Sequence, residues 1–142
     1  MPVAAYCALF QASREEIHLT ALNILIVDDN REAAELFQEL LEMQGHAVRV
    51  AFDGAQALAE AGQSQPGVFL VDLTLPDIHG VELARQLRDA ALPAKPLIVA
   101  VSGHAQASTS SEGEAEVFDH YLQKPVNFDK LERILNDHAA TL

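Results

Sequence analysis

The chain has 142 residues, 49% of them apolar and 21% charged, which suits one globular domain with a single core and excludes a disordered one. Nine Lys and Arg against 21 Asp and Glu leave a formal net charge of −12, which repels nucleic acid and anionic membrane, so no direct DNA binding and no membrane attachment are expected. No apolar run approaches the roughly 20 residues of a membrane helix, and no basic segment precedes "MPVAAYCALF" as a secretory signal requires, so a cytoplasmic location is the expectation.

Residues 1–21 stand outside the pattern that follows and are read as an N-terminal extension; Cys7 within it has no neighbouring Cys or His and reads as an incidental thiol. From Leu22 onward, strand-like and helix-like segments alternate. Ile24 to Val27 is a short apolar strand, after which Asp29 or Asn30 caps the stretch "REAAELFQELLEMQG". There Ala33, Leu36, Phe37, Leu40 and Leu41 recur at helical spacing and Gly45 supplies the stop. The alternation repeats in "HAVRVA" and "DGAQALAEAGQ", then in "GVFLVD" and "GVELARQLRDAAL". It continues in "PLIVAVS" with a weak helix in "ASTSSEGEAEVF", and in "HYLQ" with "NFDKLERILNDHA". Five almost wholly apolar strands between five amphipathic helices predict a parallel sheet covered on both faces, a doubly wound α/β domain with right-handed crossovers.

Ligand sites in such sheets lie beyond the carboxyl ends of the strands. The first strand ends in Asp28 and Asp29, the third in Asp72, the fourth in Ser102 and the fifth in Lys124 followed by Pro125. Singly, each is an ordinary helix cap, turn residue or solvated charge. Together they form one rim. Three close carboxylates repel by about 4 kcal/mol per pair at the intermediate dielectric of a protein rim, so a countercharge is called for. All-oxygen ligation without His or Cys selects a hard cation, Mg²⁺ with Mn²⁺ as a substitute. A cation, a lysine and a hydroxyl around a carboxylate make a phosphoryl-transfer site in which the carboxylate attacks in line.

The "VDD" after the first strand, "FLVDLTLPDIHG" around Asp72, "VSGHA" after the fourth strand and "DHYLQKPV" at the fifth resemble the receiver domain of two-component response regulators. The resemblance covers about residues 22–140 and implies a receiver domain over 22–142, with the flavodoxin-like strand order 2-1-3-4-5. It implies that Asp72 is the phosphoacceptor, taking a phosphoryl group from a histidine kinase or histidine phosphotransfer protein. Asp28, Asp29, Asp72 and the backbone carbonyl of Thr74 would hold Mg²⁺. Lys124 would pair with a phosphoryl oxygen, Ser102 would bond to the phosphoryl group, and the Lys124–Pro125 bond would be cis. Adding about two negative charges at Asp72 would draw Ser102 inward and let Tyr121 swing from exposed to buried, altering the face made by the fourth helix, fifth strand and fifth helix. Thr74 and His104 stand where the family modulates the lifetime of the phosphoryl group.

Nothing basic resembling a helix-turn-helix follows the fifth helix, so the expected partner is a downstream protein, with a phosphorylation-dependent homodimer left open. "SGHAQ" and "FDHYLQKPVNFDKLERIL" are also similar to the receivers of hybrid histidine kinases. The region "AQASTSSEGEAEVF" departs from the family in its Ser, Thr and Gly content, which weakens a helix there. A dehalogenase-type phosphatase would need a second Asp where Thr74 stands. A flavodoxin-like carrier would need a phosphate cradle where Asp28 and Asp29 stand. The remaining rival is a pseudo-receiver that binds proteins without being phosphorylated. Chemistry in a receiver is limited to its own phosphotransfer and autodephosphorylation, so no dedicated enzyme is expected.

Overall fold

Ile24, Leu25, Ile26 and Val27 are all buried, although neighbouring residues of a strand point to opposite faces. Both faces of this strand are therefore covered, and the reason is visible in the computed structural model of the protein, which describes residues 21–90, 95–103 and 117–142. The strands are β1 (Asn23–Val27), β2 (Ala47–Ala51), β3 (Val68–Asp72), β4 (Leu97–Ser102) and β5 (His120–Gln123). The described helices are α1 (Arg31–Met43), α2 (Gly54–Ser64), α3 (Gly80–Asp89) and α4 (Phe128–Ala139). All strand pairs are parallel and the order is β2-β1-β3-β4-β5, the flavodoxin-like order expected above. Apart from Val117 and Phe118, the predicted fourth helix lies outside the described residues, as do residues 1–20 and the end of the predicted third helix.

The alternation along each strand divides the core into two layers. Leu25, Val27, Phe69, Val71, Ile98 and Ala100 pack with Ala57 and Ala61 of α2 and Leu83 and Leu87 of α3. Ile24, Ile26, Leu70 and Val99 pack on the other side with Leu41 of α1 and Leu131 and Leu135 of α4. Truncating a fully buried member such as Leu25 to Ala costs about 2–5 kcal/mol, because the lost transfer energy is compounded by a cavity.

The helix starts follow from capping. Asn30, rather than Asp29, caps α1, its Oδ1 accepting from the Ala33 amide at 3.2 Å, and Gly45 at φ 97° turns the chain out after the helix. Asp53 caps α2 and Asn127 caps α4 through the Gln56 and Lys130 amides at 2.7 and 3.1 Å. At the opposite end of the sheet, Arg88 of α3 holds the entries to β4 and β5. Its guanidinium donates to the Pro96 and Val117 carbonyls and pairs with Asp119 at 2.8 Å, while Asp119 also accepts from the Ile98 amide. This staple fixes where β5 starts, and so where Lys124 arrives at the other end.

Candidate functional site

Parallel strands deliver their last residues to one edge, and here that edge is acidic. Asp28 and Asp72 are buried, with 7% of each exposed, and Asp29 stands outward beside them. Carboxylate oxygens of Asp28, Asp29 and Asp72 all lie within 4.8 Å of one another. The two buried carboxylates are held alike. Oδ1 of Asp28 accepts from the Asn30 amide at 2.9 Å and Oδ1 of Asp72 from the Thr74 amide at 3.0 Å. Their Oδ2 atoms both accept from the Lys124 ammonium, each at 3.2 Å. Lys124 is carried there by the last pairing of the sheet, where its amide donates to the Ser102 carbonyl at 2.7 Å, and the Lys124–Pro125 bond is cis.

Burial pushes the Asp72 carboxyl above its ordinary value; the Thr74 amide and Lys124 pull against this, and Asp28 adds to the rise. Burial would lower Lys124, but the attraction of Asp28 and Asp72 outweighs it and holds the ammonium above its usual value. With all groups ionised, three carboxylates against one ammonium leave two negative charges in a partly buried rim. That excess, and an all-oxygen donor set with no His or Cys in the cluster, fits a hard divalent cation.

Ser102 is buried at 3% exposure, one residue past Val101, which pairs with Asp72. Tyr121 pairs with Ala100, so strand alternation puts Ser102 and Tyr121 on the same face of the sheet. The Tyr121 ring meets Phe118 edge-on at 5.5 Å and its hydroxyl is buried, so the side chain stands inward. Thr74 is exposed and forms an antiparallel bridge with His79 across the loop after β3. His104 lies outside the described residues. A cavity of about 360 Å³ opens from Asp28, Asp72 and Lys124 between α1 and α4, with Leu36, Phe37 and Phe128 in its walls.

Residue-by-residue inspection of strand ends misses Asp77, in the loop between β3 and α3. Its Oδ1 accepts from the Gly54 amide at 2.8 Å and its Oδ2 from the Ala55 amide at 3.1 Å. These bonds, the Gly54 amide foremost, hold the Asp77 carboxyl below its ordinary value. The sequence signal was a carboxylate in the turn-like stretch "LPDIHG".

In a parallel α/β sheet of this order, the acidic, lysine-bridged rim lies where such sheets bind their ligands, beyond the carboxyl ends of the strands at the switch point. Residues 24–136 match the family model for the response regulator receiver domain. Protein PilH of Pseudomonas aeruginosa is 35% identical over 114 residues, 80% of this chain and 93% of PilH. Sensor histidine kinase AtsR of Burkholderia thailandensis is 35% identical over 118 residues, 81% of this chain but 19% of AtsR. The matched part is 47% of Response regulator MprA of Mycobacterium avium. The solved response regulator receiver domain (CheY-like) from Methylobacillus flagellatus superimposes with a TM-score of 0.77 at 36% identity, covering 83% of this chain and 98% of that one. The chain belongs to the response regulator receiver domain family of two-component signalling. Among the described residues, no helix is long and apolar enough to cross a membrane.

Proposed function

We propose that the chain is a working phosphoacceptor of a two-component phosphorelay, in which Asp72 takes a phosphoryl group from a phosphohistidine of a histidine kinase or phosphotransfer protein. The observation that carries this reading is the shared ammonium: Lys124 lies 3.2 Å from both Asp28 and Asp72 and is ready to follow an incoming anion. One Asp72 oxygen attacks phosphorus, the bond from phosphorus to the imidazole nitrogen breaks, and the released nitrogen keeps the electron pair and is reprotonated. A raised Asp72 pKa marks a poorly solvated carboxylate, which is the stronger nucleophile once ionised. The Thr74 amide fixes the Asp72 carboxylate in orientation, and Lys124 exchanges Asp72 for a phosphoryl oxygen as charge moves outward.

Asp28, Asp29, Asp72 and the Thr74 carbonyl would hold Mg²⁺, or Mn²⁺ in its place, which neutralises phosphoryl oxygen charge when bound. Tyr121 already stands inward without a phosphoryl group, unlike the outward resting position expected from the sequence, so the new dianion, by attracting the Ser102 hydroxyl, would hold that inward state and fix the β5 side of the sheet as the surface read by a downstream protein. Thr74 and His104 govern access of water to the acyl phosphate. The protein acts in the cytoplasm and catalyses only its own phosphotransfer and autodephosphorylation. Incubation with phosphoramidate, whose phosphorus–nitrogen bond mimics phosphohistidine, followed by borohydride reduction and peptide mapping, tests the acceptor. Modification at Asp72 supports it, and modification at another residue overturns it. No modification, despite demonstrable Mg²⁺ binding, favours a pseudo-receiver.

A further inference from the structure

The first turn of α2 leaves its amides to be satisfied from outside the helix, as every helix does. Asp53, the cap, takes one of them, the Gln56 amide, through its side chain at 2.7 Å, while its carbonyl accepts the first helical bond from the Ala57 amide. Two more, Gly54 and Ala55, are taken by Asp77, which belongs to a different part of the chain. Asp77 lies near the tip of the loop that begins right after Asp72. At its base the loop is closed by the Gly80 amide donating to the Leu73 carbonyl at 3.0 Å and by the Thr74–His79 bridge. Beside the tip, Ile78 fills the notch left by Gly54, where a Cβ would collide with its methyl group. Within the same loop, the Thr74 amide holds Oδ1 of Asp72.

We propose that Asp77 is a positioning residue for the acceptor. By tying the loop to the start of α2 it holds the Thr74 amide on Asp72. The inference rests on the reading of Asp72 as the acceptor and adds a second anchor to it, outside the rim itself. Losing the anchor leaves two helix amides to water and frees the loop near its tip, so the Asp72 carboxylate samples orientations in which attack is out of line. The same release lets the Thr74 amide exchange with solvent.

The test compares Asp77→Ala and Asp77→Asn with Asp53→Ala, which weakens the cap of the same helix without touching the loop. Rates of phosphorylation by acetyl phosphate at saturating Mg²⁺ are measured beside hydrogen exchange at the Thr74 amide and the melting temperature. Asp77→Ala slows phosphorylation about tenfold and speeds Thr74 exchange, and Asp77→Asn, keeping one acceptor oxygen, lies between it and the wild type. Asp53→Ala melts lower but reacts within about twofold of the wild type. A wild-type rate with a protected Thr74 amide in both Asp77 variants overturns the proposal. An equal slowing in Asp53→Ala also overturns it, because the effect then belongs to the stability of α2. Should the wild type itself take no phosphoryl group, the acceptor reading fails, and the Thr74 exchange rates still decide whether Asp77 holds the loop.

Discussion

Asp72 and Lys124 stand 52 positions apart in the chain, yet the Lys124 ammonium lies 3.2 Å from Oδ2 of Asp72, and the same ammonium is shared at equal distance with Asp28. In the absence of a cation, Lys124 is the positive charge that keeps two buried carboxylates close together. Replacing it with Met leaves both carboxylates without that countercharge, at a cost of about 1–3 kcal/mol in chelator. Added Mg²⁺ should then raise the melting temperature of Lys124→Met by more than that of the wild type. An equal rise in both proteins contradicts the shared-countercharge account.

Asp72→Asn removes one of the buried charges. The raised pKa of Asp72 means that its ionised form is disfavoured by folding, so its contribution to stability falls as the pH rises from the unfolded value through the folded one. At neutral pH in chelator the variant should therefore melt at or above the wild type, and Mg²⁺ should narrow or reverse the gap. Scanning calorimetry with and without the ion reads this directly.

Asp29 takes no part in the Lys124 pairs and is exposed. Asp29→Ala should leave stability in chelator within about 0.5 kcal/mol of the wild type while weakening Mg²⁺ binding about tenfold or more, as seen by calorimetric titration. Unchanged affinity places the cation elsewhere.

Two glycines carry opposite expectations, one packed on the acceptor loop and one on open helix surface. A Cβ on Gly80 would lie 2.7 Å from the Asp72 carbonyl oxygen and from the Leu73 Cα, backbone atoms that have no side-chain freedom to move aside. Gly80→Ala should cost about 1–3 kcal/mol and slow phosphorylation. Gly62, exposed within α2 with nothing within 4 Å of its would-be Cβ, should gain about 0.5–1 kcal/mol on conversion to Ala. Urea denaturation of the pair reads both signs.

Asp77 carries the pH dependence of the loop. Its folded pKa is lowered, first by the Gly54 amide, so its stabilisation is present above the unfolded value and is lost as the pH falls through the folded one. The stability difference between the wild type and Asp77→Asn should hold at neutral pH and shrink below about pH 4. A difference constant down to pH 2 would show that the charge of Asp77 contributes nothing.

Much of this was legible because doubly covered parallel strands write themselves as unbroken apolar runs, and their ends then stand out as polar residues. Asp28, Asp72, Ser102 and Lys124 were visible for that reason, as was the rim they share. The strand order came from a resemblance, since periodicity carries no information on which strands are neighbours. Asn30 rather than Asp29 at the cap was a choice between adjacent good caps that local chemistry leaves even. Asp77 was missed because its partners are backbone amides 22 and 23 positions away. Arg88 was missed likewise: two of its acceptors are carbonyls, which leave no residue-type signature.

The central claim is that Asp72 accepts a phosphoryl group with the help of a cation at the acidic rim. Intact-protein mass after incubation with acetyl phosphate and Mg²⁺ tests it most directly, run beside Asp72→Asn and a sample with chelator. The account predicts a gain of one phosphoryl group that disappears in both controls. A gain that persists in Asp72→Asn, or no gain in a wild type that demonstrably binds Mg²⁺, would contradict it.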